Sequence, residues 1–455
     1  MGGETTTTND NLAPAASRFA MADAASVVYK ALLWKNTMPS RRDAVLDKFR
    51  RVGAAIKNEL EWRHQALSFL TAAWLTDAIS GGGAKESGRS PRVASFTIEP
   101  LQGCGFLSLT FRLLLTYEGS TPKSVLERPE VPASLILKVP GTFGCPEDFT
   151  ALAAETHAYR QEAKFYVDIA PVIKSRGVAM RVPKLFRVDL SSGEDARILM
   201  EDVGGAGFSI NQVAGLPVER VEALVVAAGA LHAAFWEGHG APIPSFVPAV
   251  DASASMTGSM TDGFLESFGS FERSHGLRAM GLAIPEDAVD AAGRKLRMHA
   301  RAITKHLAVV APQTLCHGDY RADNCILLHP PSKDSVVLDW QLYFRGPGAY
   351  DVQNIVVASM AASDRKAHCE RLLRLYHASL VWHGVTDYAW AALWRDFKFC
   401  LLQMAMLGFN FCSKGIDGTG LSLNAEFETC KECLHCQIER TMSAVIDYSA
   451  LDLLP

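Results

Sequence analysis

The spacing of apolar positions changes along the chain, and the change predicts where helices give way to strands. From about Arg41 to Ile79, apolar residues recur every three or four positions, the period of an amphipathic helix. Three short β-prone runs follow at Val93–Glu99, Leu107–Tyr117 and Ser134–Pro140. The helical period returns at Val218–Trp236 and dominates the rest of the chain. The pattern therefore predicts a strand-rich part followed by a mostly helical part.

Composition indicates the connecting segments. Residues 1–22 are rich in Thr, Asn, Gly and Ala and are expected to form a mobile tail. The segment Gly81–Pro91 has the composition of a linker. Residues 240–285 are rich in Ser, Gly, Pro and Met, and we expect them to supply a loop or lid near a substrate.

One charged residue lies inside an apolar strand. Lys138 interrupts the run Ser134–Pro140, and a charge buried there needs a partner. A turn containing Gly103 and Gly105 joins the two preceding strands, and such a turn can offer backbone N–H groups to phosphates. Gly-x-Gly alone is also a common hairpin turn. A glycine turn, a strand, and then a strand carrying Lys is the order of elements in a kinase small lobe.

Three polar side chains stand at the ends of apolar runs in the stretch Cys316–Asp351. Asp319, Asn324 and Asp339 each follow or precede a short β-prone run, a pattern typical of strands that deliver polar groups to a cleft. One Asp can accept the proton of an attacking hydroxyl, while Asn and the second Asp hold Mg²⁺ on nucleotide phosphates. The alternative is a pair of hairpins whose Asp and Asn residues only serve turns.

The string HGDYRADN, with LDWQ after it, carries a family resemblance. The spacing from Asp319 to Asn324 matches the catalytic loop of protein kinases, but Gly318 stands where those enzymes have Arg. The motif resembles the aminoglycoside phosphotransferase and choline kinase branch of the protein kinase-like fold. Within that branch it is most similar to the ecdysteroid kinase-like proteins, also called CHK kinase-like. The resemblance covers roughly Ser68–Tyr448.

The resemblance implies an α+β, two-lobed protein kinase-like fold. A small antiparallel β lobe would be followed by a mostly helical large lobe that contains the catalytic loop. The domains expected are a flexible tail over 1–40, a helical extension over 41–85, a small lobe over 86–203 and a large lobe over 204–455.

The resemblance also implies roles for single residues. Asp319 would be the base or the group that orients the hydroxyl, and Asn324 and Asp339 would hold Mg²⁺. Other residues would bind the nucleotide: Lys138, Gly103, Gly105 and Ser108 at its phosphates, Glu162 as the partner of Lys138, and Met200, Glu201 and Val203 around the base. Glu162 is preferred over Glu155 because it precedes the pair Phe165-Tyr166 and then Pro171, as in the family pattern.

Residues around the catalytic motif receive supporting roles. Asp351 is expected to brace the catalytic loop. Arg321 and Asp323 would either orient phosphate or substrate, or brace the loop themselves. His232 lies on the apolar face of a predicted helix and is interpreted as a hydrogen-bonded core residue.

Composition narrows the possible partners and location. Of 455 residues, 48% are hydrophobic and 21% charged, and the net charge is −4, so a nucleic-acid partner has no electrostatic support. We expect no integral membrane segment, because no apolar run of about 18 residues occurs. We also expect a cytoplasmic protein, because the first residues lack the features of a secretory or transit signal. Met1-Gly2 with Thr6 fits the N-myristoylation pattern, a short match that arises often by chance.

Cys430, Cys433 and Cys436 could hold Zn²⁺ with His435, but their spacing also fits one side of an ordinary helix, which we favour. The predicted function is ATP-dependent (or GTP-dependent) phosphorylation of a small-molecule hydroxyl acceptor. A non-catalytic kinase-like ligand-binding protein and a protein kinase are the alternatives. The sequence does not choose among choline, ethanolamine, steroids, sugars and aminoglycosides as acceptors.

Overall fold

The computed structural model describes residues 67–81, 91–101, 108–119, 131–140, 156–190, 196–274, 284–332, 334–413 and 425–455. They fall into two compact units. The first takes in the described residues of Met1–Cys145 and Lys184–Asp202, with those of Ser422–Glu428. The second takes in those of Pro146–Pro183, Val203–Leu421 and Thr429–Pro455.

The first unit is a five-stranded antiparallel sheet covered by one helix. The helix is α1 (Ala72–Gly81). The strands are β1 (Val93–Pro100), β2 (Ser108–Tyr117), β3 (Ser134–Pro140), β4 (Leu185–Leu190) and β5 (Ala196–Glu201), in the order β1-β2-β3-β5-β4. β3 lies at the centre, with Lys138 opposite Thr110 of β2 and Ile198 of β5. The three strands predicted from the sequence are confirmed.

Side-chain alternation builds the core of this unit. Leu135 and Leu137 are fully buried on one face of β3, together with Leu113 of β2 and Leu75 of α1. Because successive side chains of a strand point to opposite faces, Lys138 lies on the face turned away from this cluster. The sheet therefore presents its buried lysine on the face opposite the hydrophobic core.

The prediction of one helix that continues to Ile79 is wrong over its last part, because the chain turns before the final helix begins. Residues 67–69 form a turn, and α1 begins only at Ala72. Thr71 caps the helix, since its Oγ1 accepts a hydrogen bond at 3.1 Å from the backbone N–H of Trp74. The part of the prediction over 41–66 lies outside the described residues.

The second unit is mostly helical. Its helices are α2 (Ala158–Lys164), α3 (Ala170–Ser175), α4 (Val218–Ala234), α5 (Met256–Ser274), α6 (Glu286–Lys305), α7 (Ala349–Gln353), α8 (Ala362–Trp382), α9 (Trp390–Ser413) and, from Thr429 onward, α10 (Ala425–Asp447). Wider π-helical turns follow three of them, at Phe165–Ile169, His306–Val310 and Asn354–Ala358. Such turns occur often next to functional sites.

The loop or lid expected over 240–285 is in large part a helix. Ser255 caps α5, because its Oγ accepts a hydrogen bond at 3.0 Å from the N–H of Gly258. Met260, Phe264 and Phe268 recur every four residues and are buried. This apolar stripe outweighs the poor helix propensity of the neighbouring Ser and Gly residues.

Two small antiparallel sheets place the polar residues of the second unit. β7 (Thr314–Cys316) pairs with β10 (Phe344–Gly346). β8 (Cys325–Leu328) pairs with β9 (Ser335–Val337) and with β6 (Gly207–Ser209). Since Cys325 is opposite Val337, the hairpin of β8 and β9 brings its two ends together. Asn324 lies just before this hairpin, and Asp339 lies just after it.

Candidate active site

The backbone turns sharply at Gly318, directly after β7. Gly318 has a φ of +83°, a conformation that residues with a side chain rarely adopt. A Cβ atom there would also lie 2.1 Å from the backbone oxygen of Leu342. Any larger residue would push two backbone segments apart. The site therefore requires glycine at the position where protein kinases have Arg.

The carboxylate of Asp351 holds this turn through two hydrogen bonds to its backbone. Its Oδ2 accepts a hydrogen bond at 2.6 Å from the N–H of His317, and its Oδ1 accepts one at 3.0 Å from the N–H of Gly318. Asp351 is buried on α7. The predicted bracing role of Asp351 is confirmed by these bonds.

A second layer of hydrogen bonds orients Asp351. Nε2 of His232 lies 3.2 Å from Oδ2 of Asp351, and Nδ1 lies 2.9 Å from the hydroxyl of Tyr376. Because the carboxylate can only accept, Nε2 donates to it, and in a neutral ring Nδ1 then accepts from the tyrosine. His232 is fully buried, as expected for a hydrogen-bonded core residue. Burial, with Cys316 and Asp351 nearby, raises the pKa of Tyr376 well above its ordinary value.

His317 serves the loop as a structural residue. Its Nε2 lies 2.8 Å from the carbonyl oxygen of Leu338, and its Nδ1 lies 3.2 Å from the backbone N–H of Asp319. The carbonyl must accept and the N–H must donate, which fixes a neutral ring with the proton on Nε2. His317 thus ties the catalytic loop to the segment that leads into Asp339.

The carboxylate of Asp319 is held in one orientation. Nε of Arg321 donates to both of its oxygens, at 2.9 and 3.1 Å. Nδ2 of Asn324 donates to Oδ2 at 2.9 Å and to the backbone oxygen of Asp319 at 2.8 Å. The side chain still keeps 23% of its surface exposed, so a substrate can reach it.

Arg321 braces the loop. Its guanidinium is buried and pairs with Asp319 and, through Nη1, with Asp323 at 2.5 Å. Burial lowers the pKa of Arg321, but the two carboxylates raise it by more, so the net pKa lies above its ordinary value. Asp323 also accepts a hydrogen bond at 2.8 Å from the N–H of Gln212. Of the two roles left open for Arg321 and Asp323, these contacts support the bracing one.

Cys433 of α10 packs against this ion pair. Its Sγ lies 3.5 Å from Oδ2 of Asp323 and 3.7 Å from Nη1 of Arg321. Burial raises the pKa of Cys433 to about 11, since the effect of Arg321 in the opposite direction is smaller. The helix that we favoured for the cysteine cluster is confirmed. The side chain of Cys430 lies outside the described residues.

Asn324 and Asp339 offer oxygen atoms suited to a magnesium ion. Both hydrogen bonds from Nδ2 of Asn324 go to oxygens that can only accept, so the amide oxygen faces the other way. Asp339 adopts a left-handed conformation with a φ of 63°, which costs about 1–2 kcal/mol and is typical of functional positions. A carboxylate and an amide oxygen are hard ligands of the kind that Mg²⁺ prefers. The residues present fit the cation that the family implies.

Helix α2 packs on the turn that follows Asp339. The ring of Phe165 stacks on Trp340 with centroids 3.9 Å apart, and the hydroxyl of Tyr343 donates to Oε1 of Gln161 at 2.8 Å. Burial, Glu162 and Asp339, in that order, raise the pKa of Tyr166 well above its ordinary value. Glu162, which is itself buried, and Asp339 therefore lie near the same tyrosine.

The remaining predicted site residues lie outside the loop that contains Asp319. Lys138 is buried in β3 with 8% of its surface exposed, and Ser108 begins β2 with no hydrogen-bond partner for its Oγ among the described residues. Met200 is buried in β5, and Glu201 ends this strand. Val203 is buried in the second unit. Gly103 and Gly105 lie outside the described residues, and the pairing of Lys138 with Glu162 stays a prediction.

Sequence reasoning missed two contributors to this site. Gln212 holds Asp323 and also donates to the carbonyl of Ala358 at 2.5 Å. Gln341 donates from Nε2 to Oδ2 of Asp339 at 3.2 Å. Gln341 belongs to the DWQ motif, so its position beside Asp339 was a signal available in the sequence. Gln212 lies more than 100 residues before its partner, and no local pattern indicates the contact.

A loop of this form, on an α+β fold with a small antiparallel sheet, is typical of a kinase-like protein. The model of the ecdysteroid kinase-like family matches residues 102–384, more than half of the chain. The chain belongs to the ecdysteroid kinase-like family. An uncharacterized kinase-like protein of Caenorhabditis elegans is 23% identical over 305 residues, which cover 64% of this chain and 76% of the relative.

Solved structures of phosphotransferases are also similar to the chain. Choline kinase from Cryptosporidium parvum has 10% identity and a TM-score of 0.47, covering 84% of this chain and 98% of its own. An ADP-bound aminoglycoside phosphotransferase has 12% identity and a TM-score of 0.39, covering 82% and 99%. Both TM-scores lie below 0.5, so the family match and the observed elements establish the predicted α+β protein kinase-like fold.

None of the described helices combines the length and the apolar character needed to cross a membrane.

Proposed function

We propose that this chain is a small-molecule kinase that transfers the γ-phosphoryl group of ATP to a hydroxyl group of its acceptor. One observation carries the proposal, the arrangement around Asp319. Arg321 and Asn324 hold its partly exposed carboxylate, and the amide oxygen of Asn324 faces away from it. Residues that only serve turns would not require a buried Arg and a strained Asp339 at the same place.

The proposed reaction is an in-line displacement. The acceptor oxygen forms a bond to the γ-phosphorus, while the bond from that phosphorus to the bridging oxygen breaks and ADP leaves with the electron pair. Asp319 accepts the hydroxyl proton or orients the hydroxyl. Since three hydrogen bonds hold its carboxylate oxygens, the group is positioned before the acceptor arrives.

In this proposal Asn324 and Asp339 would hold Mg²⁺. When bound, the ion neutralises negative charge on the phosphates of the nucleotide. Its protein ligands would be the amide oxygen of Asn324 and the carboxylate of Asp339. Asp351 and His317 contribute indirectly, because they fix the backbone of the loop.

Nucleotide binding by residues outside the loop of Asp319 is part of the proposal and rests on the family resemblance. Lys138, with Gly103, Gly105 and Ser108, would contact phosphates, and Glu162 would position Lys138. Met200, Glu201 and Val203 would surround the base. The buried Lys138 and the hydroxyl of Ser108, which has no partner among the described residues, support these assignments. GTP in place of ATP stays open.

The two alternatives have weaker support. The protein-kinase alternative is weakened because position 318 has no room for the Arg of the protein-kinase loop. In addition, no Ala-Pro-Glu segment follows Asp339. A non-catalytic binding protein would not need the held carboxylate of Asp319. Cytoplasmic location remains an expectation from the sequence.

Formation of ADP with a panel of hydroxyl compounds tests the proposal. Choline, ethanolamine, sterols, sugars and aminoglycosides would be supplied with ATP and Mg²⁺, and the phosphorylated product identified by mass spectrometry. With the active acceptor, Asp319→Asn should lower kcat by about 10²–10⁴-fold and leave ATP binding intact, because Asn keeps an oxygen for Arg321.

Asp334→Asn is the matched control, since Asp334 lies in the exposed turn between β8 and β9 and its carboxylate accepts a hydrogen bond at 3.2 Å from Ser332 of the same turn. Equal rates for wild type and Asp319→Asn would contradict the proposed role. ATP binding without turnover on any acceptor would favour the binding-protein alternative.

A further inference from the structure

Gln341 lies in the turn Trp340–Leu342, immediately beyond Asp339. Its side chain is buried, with 5% of its surface exposed. Nε2 donates to Oδ2 of Asp339 at 3.2 Å. Because a carboxylate can only accept, this bond assigns the nitrogen of the amide to the Asp339 side and the oxygen to the opposite side.

The amide oxygen of Gln341 is unsatisfied. Oε1 is buried and has no hydrogen-bond partner among the residues that the structure describes. Buried acceptors in folded proteins almost always receive a hydrogen bond, from protein or from ordered water. An unmet acceptor beside a proposed cation ligand is therefore a sign of a donor that the described residues do not supply.

A water molecule bound to a magnesium ion would be such a donor. Mg²⁺ binds few protein ligands and keeps several water molecules, whose protons are made strong donors by the charge of the ion. Asp339 and Asn324 offer only two side-chain ligands, so most of the ion's remaining partners would be phosphate and water.

We propose that Gln341 is a positioning residue of the cation site, which holds Asp339 through Nε2 and receives a hydrogen bond through Oε1 from a water molecule bound to the cation. The proposal rests on the proposed function, and it gives a role to both the nitrogen and the oxygen of the Gln341 amide. Nε2 limits the rotation of the Asp339 carboxylate, and Oε1 orients the water shell of the ion.

The test is the affinity for Mn²⁺, used in place of Mg²⁺, measured by electron paramagnetic resonance with the full chain and saturating ADP. No turnover is needed. Gln341→Leu should weaken Mn²⁺ binding about tenfold, the size of effect typical of residues that support metal ligands, while ADP affinity without metal stays unchanged. Gln341→Glu, which keeps an oxygen for the water, should bind Mn²⁺ more tightly than Gln341→Leu.

Gln403→Leu is the matched control. Gln403 is buried and hydrogen-bonded to Thr304, Thr261 and Thr257, so this variant loses buried hydrogen bonds away from the cation site. It should keep wild-type Mn²⁺ affinity even if its melting temperature falls. This separates a loss of fold from a loss of the cation site.

The outcomes distinguish the two proposals. If wild type binds Mn²⁺ and Gln341→Leu binds it with the same affinity, the role of Gln341 is overturned and the proposed function stands. Absence of Mn²⁺ binding to wild type with ADP would overturn both. Equal weakening in Gln341→Leu and Gln403→Leu would also overturn the role of Gln341, because the effect would then be one of stability alone.

Discussion

At Gly318, one residue decides whether the catalytic loop can form. Its φ is +83°, and a Cβ would lie 2.1 Å from the carbonyl oxygen of Leu342. Gly318→Ala should lower the free energy of unfolding by more than about 2 kcal/mol, since a backbone contact has no room to relax. Activity should fall with it, because Asp351 holds this same turn. Urea-induced unfolding and ADP formation provide the measurements.

Gly119→Ala is the comparison for this substitution. Gly119 has a similar φ of +68°, but none of the described residues has an atom within 4 Å of its Cβ position. It should lose only the conformational preference for glycine, about 1 kcal/mol. Equal losses in the two variants would show that the contact with Leu342 is unimportant.

Residues of the site differed in how far sequence could predict them. The positions of Asp319, Asn324 and Asp339 at the ends of short strands followed from motif and spacing, while their catalytic and metal-binding roles stay proposals. The bracing role of Arg321 could not be decided from the sequence, since the same residue could have contacted a substrate. Gln212 could not be predicted, because its contact with Asp323 is set by the fold over more than 100 residues.

At the scale of elements, the stack of Phe165 on Trp340 joins α2 to the turn after Asp339. Phe165→Ala should lower the free energy of unfolding by about 3–5 kcal/mol, as for other buried Phe residues. It should also weaken Mn²⁺ binding with ADP, because the turn that carries Asp339 loses its packing. Phe264→Ala on α5 removes an equally buried ring, and should lose stability without this effect on the metal. Loss of metal affinity in neither variant would contradict the coupling.

An ion pair between the buried Arg365 and the more exposed Asp447 joins α8 to α10. Nη2 of Arg365 donates to Oδ2 of Asp447 at 2.5 Å, and Lys366 lies 3.0 Å from Oδ1. Burial raises the pKa of Asp447, but Arg365 and Lys366 lower it by more, so the net pKa lies below its ordinary value of 3.8. The folded state therefore binds this proton less readily than the unfolded state, and the pair stabilises the protein above the unfolded pKa.

The expected result is a loss of this stabilisation as the pH falls below about 4. Asp447→Asn should lower the melting temperature at pH 7 and show a smaller further decrease in acid than wild type. Circular dichroism melts from pH 7 to pH 3 provide the measurement. Parallel curves for the two proteins would contradict the role of Asp447.

The elements themselves were predicted best where their pattern is local. β1, β2 and β3 and helix α4 follow from alternation and from helical spacing. Helix α5 was missed because Ser and Gly between its apolar residues have the composition of a loop. The late start of α1 was missed because the cap at Thr71 is a single hydrogen bond. The order of the five strands depends on long-range pairing that no segment carries alone.

For the whole molecule, the proposed function requires a nucleotide site that depends on a divalent cation. Ligands that bind only the folded state stabilise it, by about 2.7 kcal/mol at one hundred times the dissociation constant. For a chain of this size, such a gain raises the melting temperature by a few degrees, roughly 3 °C.

The most direct test is therefore the melting temperature of wild type, Asp339→Ala and Lys138→Ala, each with ATP and with or without Mg²⁺. The proposed function predicts a rise of roughly 3 °C for wild type that requires Mg²⁺ and is lost in both variants. No rise for wild type at ATP well above millimolar concentration, or an equal rise in Asp339→Ala, would contradict it.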